Sequence, residues 1–498
     1  MSAKLSVLKE LSLGQRVAED EAKELQKYFV KTTQWEQLAA GKIDVVYGPK
    51  GSGKSALYTS LLQEADGFRT KRIIVIAAEN VRGATVFKSI LTDPPTSELE
   101  FATLWKLYIL ILVANYLRKS HGGSPNANAL IDALETAGLL PAGDDLGSQF
   151  RSAVKYLRGM LGKEKASVEY ELTFDGSTGM PAAKRKVRYA KKDREKISLG
   201  DLPLEQLFTV CNVALEDSGL SVWLAFDRLD VAFVDSSELE RNALRALFRA
   251  YADLKLHPRI CLKIFVRDDV WRRITRGGFT EASHITKSLH IEWTPETLLN
   301  MVVLRLIGSD ELSRYCEVNV ESVKKSYDKQ VGLFYKVFPD KVATGKNPST
   351  LGWIISRTAD GSGLGRPREL IHLLDAARMQ QINSLERGSR EPPQKQLFDR
   401  SSLKSGLPLV SKVYFEQTLL AEYPDLKKWI ESLDGQKSTQ TLKSLSRIWK
   451  VDQAIAQDVA KNLVEIGFFE KNYASDHAYR VPFLLRPALQ MVQGTAVD

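Results

Sequence analysis

Five apolar runs of six to eight residues recur along the chain and predict buried β-strands. They lie at 42–47, 72–77, 221–227, 259–266 and 288–293. Apolar positions at helical spacing precede the first run and follow the last, up to about residue 386. Buried strands that alternate with helices are typical of an α/β fold built on a parallel sheet.

A long segment, 81–220, separates the second run from the third and is mostly helical in its periodicity. Its exception is 168–174, where apolar and polar residues alternate before a turn sequence at 175–179 and a second run at 186–190. This pattern predicts a β-hairpin inside a helical insertion. The second arm is basic, because 184–196 holds eight Lys or Arg against two acidic residues. Such an arm either contacts a phosphate backbone or is simply a solvated face.

The remaining sequence predicts the domain arrangement. A P-loop core at 1–300 is followed by a helical lid at 301–386, and a polar stretch with two prolines predicts a linker at 387–400. In 401–498, two helical patterns and two short apolar runs predict a helix-turn-helix with a β-wing, a winged-helix-like domain. Its twelve Lys or Arg nearly balance its eleven Asp or Glu, which favours protein docking over non-specific DNA binding.

The first strand leads into Gly-Pro-Lys-Gly-Ser-Gly-Lys-Ser at 48–55, a complete match to the phosphate-binding loop (P-loop) pattern. Glycines leave backbone N–H groups free to face a phosphate, and the N-terminus of the following helix adds to that anion site. We predict that Lys54 contacts the β- and γ-phosphates of ATP and that Ser55 ligates Mg²⁺. The predicted nucleotide-binding residues are Gly48, Pro49, Lys50, Gly51, Ser52, Gly53, Lys54, Ser55 and Ala56.

Polar residues follow three other predicted strands, at the edge where open α/β sheets bind ligands. Asp227 ends the third strand and is predicted to hold Mg²⁺ directly or through water. Glu79 and Asn80 end the second strand. Either Glu79 or Asn80 faces the γ-phosphate or its attacking water, or both lie in a solvated loop. Arg267 ends the fourth strand, at the position of a γ-phosphate sensor.

Together these motifs resemble the ASCE division of P-loop ATPases, particularly the bacterial relatives between the origin-recognition branch of AAA+ and the STAND/KAP group. The resemblance covers about 30–386 plus the tail, and it rests on Gly-Pro-Lys-Gly-Ser-Gly-Lys-Ser at 48–55, Phe-Asp-Arg-Leu-Asp at 226–230, Val-Arg-Asp-Asp at 266–269 and Gly-Arg-Pro-Arg-Glu-Leu at 365–370. It implies a parallel sheet in 5-1-4-3-2 order, a helical lid, Mg-ATP, and oligomerisation linked to the nucleotide state. It also implies that Arg267 is a sensor and that Arg368 reads the nucleotide from the lid.

One position departs from that family. Arg228 follows the Mg²⁺ aspartate, where an acid usually orients the attacking water. Asp230 or Glu79 then becomes the candidate base, and Asp230 is favoured because it lies just past the end of the strand. Alternatively, turnover is slow and the protein is a nucleotide-held switch.

Composition limits the class of protein, the metals and the cellular location that we expect. The chain has 498 residues, 44% of them apolar, as expected of a multi-domain globular protein. Three cysteines and six histidines are scattered without a disulfide or metal pattern, so Mg²⁺ is the only metal predicted. The longest apolar run, 107–117, is shorter than the roughly 20 residues that span a bilayer, and the N-terminus lacks a signal-peptide pattern. We therefore expect a cytoplasmic protein without membrane contact.

Three functions are compatible with these features. The first is an ATPase whose nucleotide cycle moves the lid and tail to drive a protein partner or self-assembly, in bacterial defence or genome maintenance by analogy. The second is an interaction protein that binds ATP but hardly hydrolyses it. The third, a P-loop kinase, needs a small-substrate pocket and an Arg-rich lid that the sequence does not reveal. Phosphate release by the pure protein separates the first two.

If the basic arm binds a phosphate backbone, its affinity for DNA or RNA should fall steeply as salt rises, because binding releases condensed cations. Neutralising Lys184, Arg185, Lys186 and Arg188 together should flatten that dependence. Fluorescence anisotropy at several salt concentrations measures the slope. A wild-type protein that ignores both nucleic acids at low salt rules the contact out.

Overall fold

The structure is a computed structural model that describes residues 2–14, 25–80, 85–87, 95, 97–120, 123–141, 145–160, 163–174, 181–191, 204–229, 237–276, 279, 285–363, 365–472 and 478–496. The chain divides into two compact units. The sheet unit comprises residues 40–47 and 61–289, and the P-loop unit comprises residues 1–39, 48–60 and 290–498. The P-loop and the whole C-terminal half from residue 290 therefore belong to one unit.

Eleven strands form three sheets within the described residues. They are β1 (Val45–Gly48), β2 (Ile73–Ala77), β3 (Lys163–Phe174), β4 (Pro181–Lys191), β5 (Ser221–Phe226), β6 (Ile260–Arg267), β7 (Ser288–His290), β8 (Lys437–Thr441), β9 (Glu470–Asn472), β10 (Ala478–Arg480) and β11 (Val492–Thr495). The largest sheet has five parallel strands in the order β2-β5-β6-β1-β7. Numbered along the chain, these strands run 2-3-4-1-5, the arrangement of P-loop NTPases, so the predicted order 5-1-4-3-2 is confirmed.

Parallel pairing places three predicted site residues at one edge of this sheet. The last residue of β2, Ala77, pairs with Ala225 of β5, and Phe226 pairs with Ile264 of β6. Since the carboxyl ends of parallel strands share an edge, the residues that follow them are the ones available to a ligand. Glu79, Asp227 and Arg267 come at the ends of β2, β5 and β6.

A buried ion pair ties β1 to β6. Lys263 Nζ lies 2.7 Å from Asp44 Oδ1 and also donates to Ile43 O at 2.7 Å. The ammonium lies 4.2 Å from the centre of the Trp223 ring, and the Tyr251 hydroxyl donates to Asp44 Oδ2 at 3.1 Å. Removing one partner of a buried pair costs about 3–5 kcal/mol, because the other charge stays buried. This network therefore fixes the position of the strand that leads into the P-loop.

Twenty-one α-helices lie within the described residues. They are α1 (Ala3–Glu10), α2 (Leu25–Tyr28), α3 (Thr33–Ala39), α4 (Lys54–Gln63), α5 (Ala65–Thr70), α6 (Glu98–Lys119), α7 (Pro125–Thr136), α8 (Leu146–Met160), α9 (Leu204–Asp217), α10 (Ser237–Asp253), α11 (Asp268–Arg276), α12 (Pro295–Ile307), α13 (Asp310–Tyr315), α14 (Val320–Lys324), α15 (Tyr327–Val337), α16 (Thr350–Thr358), α17 (Pro367–Glu386), α18 (Arg400–Tyr414), α19 (Lys427–Glu431), α20 (Leu442–Trp449) and α21 (Gln453–Glu465). A π-helical turn, Phe415–Leu420, continues α18.

Helix α6 is central to the core of the sheet unit. Trp105 and Tyr108 of α6 pack edge-on against Phe226, and the Tyr108 hydroxyl donates to Ala78 O at 2.9 Å. The insertion therefore supports the ends of β2 and β5, where two predicted site residues follow. By length and composition alone α6 is also long enough to cross a membrane, which the apolar run at 107–117 did not predict. Its apolar window is 67% buried inside the protein, as in a core helix.

The insertion also contains a hairpin. Strands β3 and β4 pair antiparallel, from Lys163↔Lys191 to Phe174↔Pro181, with a register shift between Lys165 and Ser167. The predicted turn at 175–179 lies outside the described residues.

In the P-loop unit, one core joins the lid helices to the C-terminal segment, which we define as residues 401–498. Helices α12, α17, α18, α20 and α21 all contribute buried side chains to it. The C-terminal segment adds a sheet in the order β11-β8-β10-β9, in which β10 is antiparallel to both of its neighbours. The helices α20 and α21 lie between β8 and β9 along the chain.

Candidate phosphate-binding site

The P-loop begins at Gly48, the last residue of β1, and α4 begins at Lys54. Gly51 and Gly53 have φ angles of 80° and 100°, a backbone region that favours glycine. A Cβ at position 48 would lie only 2.7 Å from Ser52 Oγ. Glycine at these three positions therefore permits a turn that side chains would obstruct.

Lys54 reaches back across this turn. Its ammonium donates to Gly48 O at 2.8 Å and to Pro49 O at 2.9 Å. Ser55 and Ala56 follow in the first turn of α4. The structure thus collects a cation, a hydroxyl and the N-terminus of a helix beside a glycine-rich backbone, which is the donor set that a polyphosphate needs.

Trp293 holds the loop from the segment after β7. Its indole Nε1 donates to Ser52 O at 2.7 Å, and its ring lies 3.7 Å from where a Cβ on Gly53 would be. Trp293 directly precedes Thr294, which caps α12, and Pro295, which begins it. Because a capped helix start is a rigid support, this donor has a fixed direction.

Arg366 holds the loop from the lid. Its buried guanidinium donates to Lys50 O at 3.1 Å and forms an ion pair with Asp360. The guanidinium also lies 5.4 Å from the centre of the Tyr414 ring in α18. Burial lowers the pKa of Arg366, but Asp360, Tyr414 and Glu369 together raise this pKa by more. The net pKa lies above that of an ordinary arginine, so the group is charged.

The start of α17 packs directly on Gly51. A Cβ at this position would lie 3.2 Å from Arg368 Cβ and 3.3 Å from Glu369 Oε2. Arg368, predicted from the family resemblance, therefore borders the loop with the aliphatic part of its side chain. Burial raises the pKa of Glu369, and the charges of Arg366 and Arg368 lower it in part. The lid thus brings charges of both signs to the P-loop.

Lys50 contacts the C-terminal segment. Its ammonium lies 2.5 Å from Glu422 Oε1, and the side chains are 33% and 13% exposed. Glu422 follows the π-helical turn Phe415–Leu420. One P-loop residue is therefore held at both ends, with its carbonyl bound by the lid and its ammonium bound by the C-terminal segment.

In the sheet unit, Asp227 is buried at the end of β5. Arg228 then adopts a left-handed φ of 56°, which is uncommon for a residue other than Gly, Asn or Asp. Such conformations cost about 1–3 kcal/mol and persist where the surroundings fix them, often at functional sites. The chain therefore leaves β5 through a strained turn immediately after the predicted Mg²⁺ ligand.

Glu79 is fully buried after β2, so the predicted alternative of a solvated loop is wrong. Its Oε1 accepts hydrogen bonds from the backbone N–H groups of Asn80 at 2.6 Å and Val86 at 3.2 Å, and its Oε2 accepts from the Thr85 hydroxyl. Burial raises the pKa of Glu79, and these donors and the Arg228 charge lower it in part. The carboxylate therefore binds Asn80, Thr85 and Val86 together after β2.

Arg267 makes a two-pronged ion pair with Asp269. Nε lies 2.9 Å from Oδ1, and Nη2 lies 3.1 Å from Oδ2. Asp269 also lies 3.6 Å from Arg273. A sensor role for Arg267 would therefore require this carboxylate to be exchanged for a phosphate.

Two predicted features, Asp230 and the basic segment 192–196, lie outside the described residues. Four residues that touch the P-loop or Lys50 were not predicted from the sequence: Trp293, Arg366, Glu369 and Glu422. Arg366 and Glu369 lie within the 365–370 motif, which was the one signal available. Trp293 and Glu422 are far from the loop in sequence and carry no local pattern.

Comparison with protein-family models finds no match, and comparison with curated proteins finds no significant relative. Among solved structures, the ORC2 protein of Aeropyrum pernix, described as ADPNP-ADP complexes, aligns over 95% of this chain and 94% of its own, at 9% identity and a TM-score of 0.26. A TM-score that low carries no argument. The sheet order decides the fold instead. This chain has a P-loop NTPase fold.

Glu79→Gln should stabilise the protein relative to the wild type increasingly as pH rises. Because the folded-state pKa of Glu79 is raised, its protonated form contributes stability that is fully present below the unfolded-state pKa and is lost as pH rises through the folded-state pKa. An amide cannot ionise, and the Thr85 hydroxyl can turn to accept its N–H. Calorimetry from pH 4 to pH 8 measures the effect as the difference in melting temperature between the variant and the wild type.

The matched control is Glu321→Gln, since Glu321 is an exposed carboxylate whose pKa is lowered by its hydrogen bond and charge pairing with Lys324. Its difference in melting temperature should not increase with pH. A Glu79→Gln difference that stays flat or falls with pH would show that the buried carboxylate is fully compensated by its donors.

Proposed function

We propose that this protein is a P-loop ATPase that binds Mg-ATP at 48–56 and couples the nucleotide state to its lid and C-terminal segment. The observation that carries the proposal is the loop itself. Gly51 and Gly53 adopt left-handed angles, Lys54 reaches back across the turn, and α4 begins directly behind it. The loop follows the first strand of a 2-3-4-1-5 sheet, as in P-loop NTPases.

The residues present fit a magnesium nucleotide. The buried Ser52 hydroxyl has no hydrogen-bond partner among the described residues, and a helix of ten residues begins at Lys54. Ser55 and Asp227 carry the oxygen ligands that Mg²⁺ prefers. When bound, Mg²⁺ neutralises phosphate charge and polarises the γ-phosphoryl group. The loop backbone would orient the phosphates, and Lys54 would stabilise the charge that develops on them.

Three observations favour slow hydrolysis, the alternative in which the protein is an ATP-held switch. Arg228, which directly follows Asp227, carries only hydrogen-bond donors. Both oxygens of Glu79 are already bonded, and Arg267 is paired with Asp269. Because Arg228 is not a base and Glu79 is already bonded, we propose Asp230 as the residue that orients the attacking water. General-base catalysis of this kind contributes about 10²–10⁴-fold in rate.

We further propose that the C-terminal segment contains a winged helix. Its β8, its α20–α21 pair and its antiparallel β9–β10 strands follow one another in the order that this domain requires. The near balance of its charges favours a protein partner or a second copy of the chain. The basic arm at 184–196 is the proposed contact for nucleic acid. A role in bacterial defence or genome maintenance rests on analogy with the resembling family alone.

Lys54→Ala should weaken ATP binding by about 10- to 100-fold, the scale of a lost hydrogen bond to a charged group, and should leave the fold intact. Isothermal titration calorimetry measures the affinity, and circular dichroism checks the fold. Lys42→Ala is the control, because Lys42 is exposed just before β1. Equal ATP affinity in wild type and Lys54→Ala would overturn the P-loop assignment.

Asp227→Asn should slow Mg-dependent hydrolysis by about 100-fold while changing Mg-free nucleotide affinity little, because it removes a charge directed at the metal. Single-turnover phosphate release with Mg²⁺ and calorimetric titration of nucleotide without Mg²⁺ separate the two effects. Equal losses in both conditions would place Asp227 outside the metal site.

A further inference from the structure

The P-loop carries an ion pair that a phosphate-binding loop does not need for its own shape. Lys50 Nζ lies 2.5 Å from Glu422 Oε1, and Glu422 is only 13% exposed. The carbonyl of the same lysine accepts from Arg366. The pair joins the loop to a helical stretch that continues α18 through the π-helical turn Phe415–Leu420.

The charges around this pair are closely balanced. The loop is bordered by two further carboxylates, Asp360 and Glu369, and by the guanidinium groups of Arg366 and Arg368. A polyphosphate held by backbone N–H groups of the P-loop would add several negative charges to the loop that carries Lys50. Those charges would attract the ammonium and repel the Glu422 carboxylate, because both anions would share one cation.

We propose that Glu422 competes with the phosphates of the nucleotide for Lys50, so that nucleotide binding and docking of residues 415–426 oppose each other. This inference rests on the proposed function and names a regulator of the same site. Coupling of this kind is reciprocal. If nucleotide binding weakens the docking of residues 415–426 by some factor, release of these residues must raise nucleotide affinity by the same factor. A partner that binds the C-terminal segment would thereby control the loading of the P-loop.

Residues 415–426 combine buried positions, exposed positions and irregular helical turns. Phe415 and Leu419 are buried against the core of the P-loop unit, whereas Glu416 and Ala421 point to solvent. A π-helical turn is less regular than an α-helix and often marks a functional position. A short 3₁₀ turn, Pro424–Leu426, then ends the stretch before α19. The carboxylate that contacts the loop thus lies between two irregular turns.

The test compares Glu422→Gln with Glu416→Gln. Glu416 is a 54% exposed carboxylate beside Lys412 in the same helical stretch, so it controls for loss of one negative charge. Titration with ADP and with inorganic pyrophosphate should show about fivefold or greater tightening for Glu422→Gln, the lower end of typical coupling, and less than twofold for Glu416→Gln. Pyrophosphate removes any contribution of the base and ribose.

A second series introduces Glu422→Gln and Glu416→Gln into a protein that already carries Lys50→Ala. If Glu422 acts through Lys50, Glu422→Gln should change affinity less than twofold in that background. A tightening that persists without Lys50 would mean a general charge effect and would overturn the competition.

Hydrogen exchange supplies a readout that does not depend on affinity. Amides of 415–426 should exchange faster when wild type is saturated with ADP, and already without ligand in Glu422→Gln. Wild type that binds ADP with unchanged exchange at 415–426 would overturn this inference and leave the proposed function standing. Wild type that binds neither ADP nor pyrophosphate would overturn both.

Discussion

A loop that binds phosphate through its backbone has few side chains with which to hold its own shape. Glycine at 48, 51 and 53 permits the turn, but glycine also leaves the unbound loop with more conformational freedom than other residues would. Other parts of the chain must therefore hold the loop. In this protein the support comes through carbonyl groups, since Trp293 donates to Ser52 O and Arg366 donates to Lys50 O. Support of this type uses none of the N–H groups of the loop.

The same support makes the loop sensitive to distant segments. Arg366 is buried, and its ion pair with Asp360 is the interaction that makes this burial tolerable. Asp360 lies in the turn whose Gly361 N–H donates to Gly467 O of the C-terminal segment at 2.7 Å. The loop is thus linked to that segment through this buried pair, through the Arg366 guanidinium beside the Tyr414 ring, and through the Lys50 ammonium. Displacement of these links would change what the loop contacts.

The fold was largely predictable, because its signals are local. Five apolar runs gave the strands, and the P-loop pattern placed the first of them in a known arrangement, which the sheet order confirms. The surroundings of the site were not predictable to the same degree. Trp293 and Glu422 reach the loop only because the chain folds back on itself, and no periodicity or motif marks such contacts. Glu79 illustrates the limit in another way. Its position after a strand was read correctly, but its burial accompanies contacts with Asn80, Thr85 and Val86 that no local pattern marks.

We infer the proposed nucleotide-held switch from contacts within each of the two units. In the sheet unit, two of the predicted catalytic residues are each bonded to a neighbour, Glu79 to Asn80 and Arg267 to Asp269. Arg228, directly after Asp227, occupies a left-handed conformation. In the P-loop unit, Arg366 and Lys50 link the loop to the lid and to the C-terminal segment. Efficient hydrolysis requires groups free to meet the γ-phosphate, whereas a switch requires contacts that change when phosphate binds, and these residues satisfy the second requirement better than the first.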